Sequence, residues 1–174
     1  MRKLTPDELR LRQDAVRETA LPFTVVLNNI RSLYNVGSIF RTADGAGAEK
    51  IWLCGITGIP PSGKISKTAL GAENRVPWQY ARHAVDCVRE LKAKGYQIVF
   101  LEQMEGSVPF EDFEPRGPVA LVLGNEIGGV SAELVEMCDA AIEIEMAGLK
   151  NSLNVTVAFG IAAYQLRARL KSRL

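Results

Sequence analysis

Cysteine and histidine are scarce in this chain of 174 residues, which has three of the first and one of the second, and that scarcity excludes several chemistries. Cys54, Cys87 and Cys138 stand singly, far apart and without CxxC spacing. Neither a disulfide frame nor a zinc site is expected from them; they read as buried, reduced thiols, and no metal is expected. His83 has no nucleophile-elbow pattern to serve as the base of a triad and reads as a residue near a helix start. No apolar run approaches the roughly 18–20 residues that a membrane span needs. The first residues, MRKLTPDELRLRQD, are charged throughout and lack the apolar core of a secretory signal, so a cytoplasmic location is expected. Internal repeats and low-complexity stretches are absent too. What remains, 47% hydrophobic and 24% charged residues, is the composition of an ordinary soluble domain, long enough to bury a core without cross-links.

The formal net charge of +1 hides an asymmetry. Residues 1–101 carry 15 Lys and Arg against 9 Asp and Glu, residues 102–145 carry one Arg against 11 acids, and from Met146 onward there are five basic residues and no acid. A fold that brings the first and last thirds together would offer phosphates a basic face; otherwise these charges are solvated surface.

Along the chain, Thr5-Pro6-Asp7-Glu8 reads as a helix start with Thr as N-cap, Pro in the first turn and Glu closing a capping box, the helix running to about Thr19. Phe23–Leu27 reads as a buried strand, Asn35 to about Ala46 as a helix with Val36, Ile39, Phe40 and Ala43 on its apolar side, and Lys50–Cys54 as a strand. Residues 55–68 are rich in Gly, Pro and Ser and read as a loop, with a short helical turn around Ala69. An extended piece at Val76–Tyr80 precedes an amphipathic helix from His83 to Lys94, ended by Gly95. Then come IVFL as a strand, an acidic loop, PVALVLG as a buried strand, a short helix from Ser131, AIEIEM as a strand, and a long helix from Ser152 or Asn151 to about Arg169. Alternating strands and helices, with several strands as continuous apolar runs, predict an α/β fold: a mostly parallel sheet covered on both faces by helices.

Three clusters stand out as candidates for chemistry. In the first, NNIR at 28–31 leads into NVGSIFRTADGAGA at 35–48, where Asn35, Ser38 and Arg41 make a polar stripe at helical spacing. Asn35 suits an N-cap, where free backbone amides attract an anion, and Arg41 adds a forked donor that matches a phosphate. In the second, ALVLGNEIGGVS at 120–131, a buried strand ends in a glycine-rich turn, at the place where α/β sheets hold ligands. In the third, a strand at 142–146 passes through a loop to Ser152-Leu153-Asn154, with polar side chains at the start of a helix rich in small residues.

In order and spacing these clusters resemble the three signature motifs of the SpoU/TrmH family of RNA ribose 2′-O-methyltransferases: its Asn-x-Gly-x-x-x-Arg-Thr segment, its Gly-Asn-Glu-x-x-Gly stretch and its Ser-Leu-Asn-Val helix start. KTALGAE at 67–73 resembles a further family element, and the likeness spans about residues 23–168. Where many members have proline before the methionine of the third motif, this chain has Glu145 before Met146. Only about 20 residues precede the resembling core, whereas larger relatives carry an added RNA-binding domain or long terminal extensions.

The resemblance implies a helical extension at 1–20 and a methyltransferase domain at 21–174 whose last third is threaded into a deep trefoil knot. It implies S-adenosylmethionine as cofactor, held mainly by backbone at Gly124, Ile144 and Leu153 with Met146 beside them and Leu123 also in contact. It implies RNA, either tRNA or rRNA, as substrate, contacted by Arg31, Ser38, Lys64 and Lys67, and a homodimer packed through the knot so that Arg41 of one subunit nears the cofactor of the other. Asn35, Arg41, Glu126, Ser152 and Asn154 would be the catalytic group. In the family Arg41's counterpart is held to help deprotonate the hydroxyl; clamping the adjacent phosphate and steadying the developing alkoxide suits a guanidinium better.

Two rivals are weighed against this reading. A Rossmann-type fingerprint at Asp44-Gly45-Ala46-Gly47 fails on context, because these glycines end a helix instead of opening one after a strand. A non-catalytic RNA-binding or assembly factor on the same fold is disfavoured by the presence of Arg41, Glu126 and Ser152-Leu153-Asn154.

Overall fold

A computed structural model describes residues 1–16, 20–124 and 131–173. Its elements are α1 (Pro6–Val16), β1 (Leu21–Asn28), α2 (Leu33–Ala46), β2 (Ala48–Cys54), α3 (Gly63–Ala69), β3 (Trp78–Ala81), α4 (Ala84–Ala93), β4 (Gln97–Leu101), β5 (Val108–Pro109), β6 (Val119–Leu123), α5 (Ala132–Val135), β7 (Ala140–Glu143) and α6 (Val155–Lys171). Among the described residues the strands form one seven-stranded sheet in the order β3-β2-β1-β6-β4-β7-β5. Every pairing in it is parallel, as continuous apolar strands joined by helices require.

Alternation along the strands sorts side chains into two cores, one on each face. Phe23, Val25 and Leu27 of β1, Ile51 and Leu53 of β2 and Leu121 of β6 meet Val36, Ile39, Phe40 and Ala43 of α2 and Phe159 and Leu166 of α6. On the opposite face Val26, Trp52, Phe100 and Val122 meet Cys87, Val88 and Leu91 of α4 and Leu134 of α5. The helical layers on both faces are thus those expected from the sequence. Cys54 and Cys87 are buried, Cys138 is half-buried, and all three are free thiols.

The capping box before α1 forms as read: Thr5 N–H donates to Glu8 Oε2 at 2.8 Å and Glu8 N–H to Thr5 Oγ1 at 3.3 Å. Arg2 and then the Thr5 amide hold the Glu8 carboxyl down at about 2. Two other helix starts differ from the sequence reading. Ser32, not Asn35, caps α2, its hydroxyl accepting from Asn35 N–H, and Asn154, not Ser152 or Asn151, caps α6. Both regions hold several capping residues in a row, and the one used is set by where the preceding loop turns.

The stretch read as a loop at 55–68 contains most of α3. Ile65 and Ala69 are buried against α2, and this packing overrides the weak helical preference of its Gly, Ser and Thr. Gly37 makes the close approach of α2 and α3 feasible: a Cβ there would overlap the Ile65 carbonyl and the Thr68 hydroxyl. The strand read as AIEIEM stops at Glu143, and the acidic loop contributes the short β5. Gly47, at φ 77°, closes α2 in a left-handed turn with its N–H returning to Ala43 and Asp44 carbonyls, so the glycines of that segment do end a helix.

Candidate active site

Parallel pairing points the carboxyl ends of β4, β6 and β7 the same way, and ligand crevices in such sheets form just outside those ends. A cavity of about 470 Å³ opens there, within the roughly 300–1,000 Å³ usual for small-molecule sites. Leu101, Glu102 and Gln103 reach it from β4, Leu123 and Gly124 from β6, Glu143, Ile144 and Met146 from β7 and the turn after it, and Asn151, Ser152, Leu153, Val155 and Ala158 from the approach and first turns of α6.

Its chemistry divides into an apolar part, made by the leucines, Ile144, Val155 and Ala158, and an acidic part, made by Glu102 and Glu143. Ser107 Oγ donates to Glu143 Oε2 at 2.6 Å, and Glu102 N–H donates to the Ile142 carbonyl at 3.0 Å, which fixes the turn leaving β4. No Lys or Arg is among the described lining residues, so the field inside favours a cationic or neutral guest over an anionic one.

All five residues read as cofactor contacts, Leu123, Gly124, Ile144, Met146 and Leu153, line this one hollow, and Ser152 joins them. Asn35, Arg41 and Asn154 do not line it within a single chain. Arg41 is exposed on α2, Asn35 is half-buried one turn into the same helix, and Asn154 Oδ1 accepts from Thr156 N–H at 2.9 Å and Thr156 Oγ1 at 2.6 Å as the cap of α6. Glu126 lies outside the described residues. Arg31, Lys64 and Lys67 are exposed and Ser38 is half-buried. Thr68 Oγ1 donates to the Tyr34 carbonyl at 2.9 Å, tying α3 and its lysines to the start of α2.

Leu101, Glu102, Gln103 and Glu143 escaped the sequence reading. The signal was present, since Leu-Glu-Gln follows an apolar strand, but only the sheet order shows that β4 lies between β6 and β7. KTALGAE contributes a buried acid, Glu73. A hydrogen bond from Ser66 holds its carboxyl below the ordinary range against the opposing effect of burial.

Comparison with known proteins agrees with this geometry. The profile of the SpoU rRNA Methylase family matches residues 22–164. A tRNA (guanosine(18)-2′-O)-methyltransferase of Thermus thermophilus is 31% identical over 178 residues, covering 100% of this chain and 89% of its own length. The 23S rRNA (guanosine-2′-O-)-methyltransferase RlmB of Shewanella oneidensis is 31% identical over 152 residues, covering 87% of this chain and 61% of that protein. Like that match, several curated relatives are longer, and the chain spans about three fifths of their length. The crystal structure of an AdoMet-bound rRNA methyltransferase from Sinorhizobium meliloti superposes with a TM-score of 0.79 at 35% identity, covering 85% of this chain and 56% of that one. With its family profile matched over most of its length, the chain belongs to the SpoU rRNA Methylase family.

Proposed function

We propose that this chain transfers a methyl group from S-adenosylmethionine to a ribose 2′-hydroxyl of structured RNA, tRNA or rRNA. The observation that carries this reading is the convergence of the turns after Leu123 and Ile144 with the approach to α6 on a single hollow. The hollow suits the cofactor: apolar walls for a flat base, carboxylates for hydroxyl and ammonium groups, and no cation among the described lining residues to repel a sulfonium. Leu123, Gly124, Ile144, Met146 and Leu153 would hold it, with Glu102 and Glu143 as acceptors at the polar end. When bound, S-adenosylmethionine supplies an electrophilic methyl for in-line displacement by the 2′-oxygen. The protein's work is alignment and charge.

Arg41 is exposed and has no hydrogen bond or ion pair with a described residue, so its guanidinium is available to an RNA phosphate. It would steady negative charge growing on the 2′-oxygen. Because Arg41 does not line its own chain's hollow, it acts on that of a second copy in a homodimer. Exposed Tyr34 on α2 and Val157 and Tyr164 on α6 offer the apolar area for that contact. Asn35, Glu126, Ser152 and Asn154 would orient Arg41 and the ribose, and Arg31, Ser38, Lys64 and Lys67 would meet the RNA backbone.

The same reading includes a deep trefoil knot. In support of it, the connection from β4 to β6 passes to the far side of β7, where β5 pairs with it, before the chain returns to β6. Gln165 Nε2 and Arg169 Nη2 donate to the Glu111 carbonyl at 3.3 and 2.6 Å, and Arg173 donates to that of Pro115, which holds α6 against this loop. On this reading residues 1–20, of which Pro6–Val16 form α1, extend the domain at 21–174, and the enzyme would work in the cytoplasm. No helix among the described residues is long and apolar enough to cross a membrane.

Calorimetry with S-adenosylmethionine, and mapping of 2′-O-methyl positions in total RNA from cells with and without the protein, test the reading together. One cofactor per chain and one methylated position lost are expected. Absence of both would favour the non-catalytic assembly factor.

A further inference from the structure

A second cavity, of about 430 Å³, opens at the same edge of the sheet beside the first. It is lined by Asn28 at the end of β1, Gly55 after β2, Arg82 and His83 between β3 and α4, and Ser131 and Glu133 at the start of α5, among others. Leu27 pairs with Leu123, so Asn28 stands next to Gly124 and the two hollows flank adjacent strand ends. We propose that this second cavity takes an unpaired nucleotide of the RNA, adjoining the one that is methylated. The inference rests on the methyl-transfer reading and adds to it a subsite.

The buried wall carries the argument. Asn28 is only 6% exposed; its Oδ1 accepts from Asn29 Nδ2 at 3.1 Å, and no described residue accepts from its own Nδ2. This donor lies on the wall of an open hollow, where it can meet an acceptor on a guest. Asn29 holds the wall in shape: at φ 60°, its Oδ1 accepts from Ile56 N–H at 3.1 Å across the turn after β2.

The lining carries charges of both signs. α4 begins there at Ala84, with His83 in the cap position and no side-chain bond to the first-turn amides. Those free N–H groups and the Arg82 guanidinium match the oxygens of a phosphate. Glu133 also lines the cavity and offers a carboxylate acceptor, partly balanced by Arg89 at 3.6 Å. An anion site at the start of α4, with an amide donor and a carboxylate acceptor on the walls, suits a phosphate and a base edge presented together. Sequence-specific reading of RNA acts on such unstacked nucleotides.

The test uses the full-length protein saturated with S-adenosylhomocysteine, so that the first hollow is filled, and follows the Asn28 and Asn29 side-chain amide signals by NMR. Guanosine 5′-monophosphate and a single-stranded RNA tetranucleotide should both shift these signals, with the tetranucleotide binding at least as tightly. Arg82→Ala, a change at an exposed side chain, should weaken both about tenfold, the loss expected for one charge-assisted phosphate contact. Unmoved amide signals, a tetranucleotide that is refused while the mononucleotide binds, or an unchanged affinity in Arg82→Ala would each overturn the proposal. Failure of S-adenosylhomocysteine itself to bind would instead count against the methyl-transfer reading.

Discussion

At the scale of single residues, the proposed function assigns Arg41 to the RNA and Leu153 to the cofactor. Arg41 lies outside the hollow and Leu153 on its wall, so their substitutions should separate. Arg41→Ala should abolish methyl transfer while S-adenosylmethionine affinity measured by calorimetry stays near that of the wild type. Arg41→Lys should recover little, because an ammonium lacks the planar fork that grips a phosphate. Leu153→Ala should weaken cofactor binding about tenfold, the lower end of what burying a leucine contributes, since this side chain is half-buried. The residues that line the hollow were named from the sequence through its resemblance to the family, carried by a glycine after an apolar strand and a Ser-Leu-Asn before a helix. The capping residues were not: Ser32 and Asn35, like Ser152 and Asn154, can all cap, and loop geometry chose between them.

At the scale of elements, packing between neighbours sets what each can tolerate. Gly37→Ala would force α2 and α3 apart at the Ile65 carbonyl, and a cost of about 1–3 kcal/mol is expected. Thermal unfolding should read this as a fall of roughly 3–10 °C for a domain of this size. Asp139 locks β4 to the start of β7: its carboxylate accepts from Ile98 N–H at 2.8 Å and from Lys92 Nζ at 2.8 Å. Burial raises its pKa, but the bonds from Lys92 and Ile98 outweigh that, and the net shift is downward. A carboxyl with a lowered folded pKa stabilises the fold above its unfolded pKa, and the contribution fades as pH falls through the folded value. Asp139→Asn should therefore cost about 1 kcal/mol at neutral pH, reduced from a buried pair by partial exposure. The difference from wild type in urea denaturation should shrink below about pH 3.9, the ordinary aspartate value. Strands β1, β2, β4 and β6 were legible as apolar runs, whereas α3 was hidden in a Gly- and Ser-rich stretch because its stability comes from burial of Ile65 and Ala69.

At the scale of the whole molecule, the proposed site is shared between two copies. Chains carrying Arg41→Ala and chains carrying Leu153→Arg should each be inactive. Mixed and allowed to exchange, they should recover about a quarter of wild-type activity per site, since half the dimers are mixed and each has one intact pairing. No recovery would mean that Arg41 serves its own chain. By itself the amino-acid order determined the alternation of elements, the parallel class of the sheet and the three clusters of polar residues, because hydrophobic period and turn chemistry are written in neighbouring positions. The tertiary structure alone decided that β6 lies between β1 and β4, with β7 beyond β4. It thereby decided that Glu102 and Gln103 share a hollow with Leu153 and that Asn28 borders a second one. Strand order depends on which long-range burial is most favourable over the whole chain, and no local pattern records that balance.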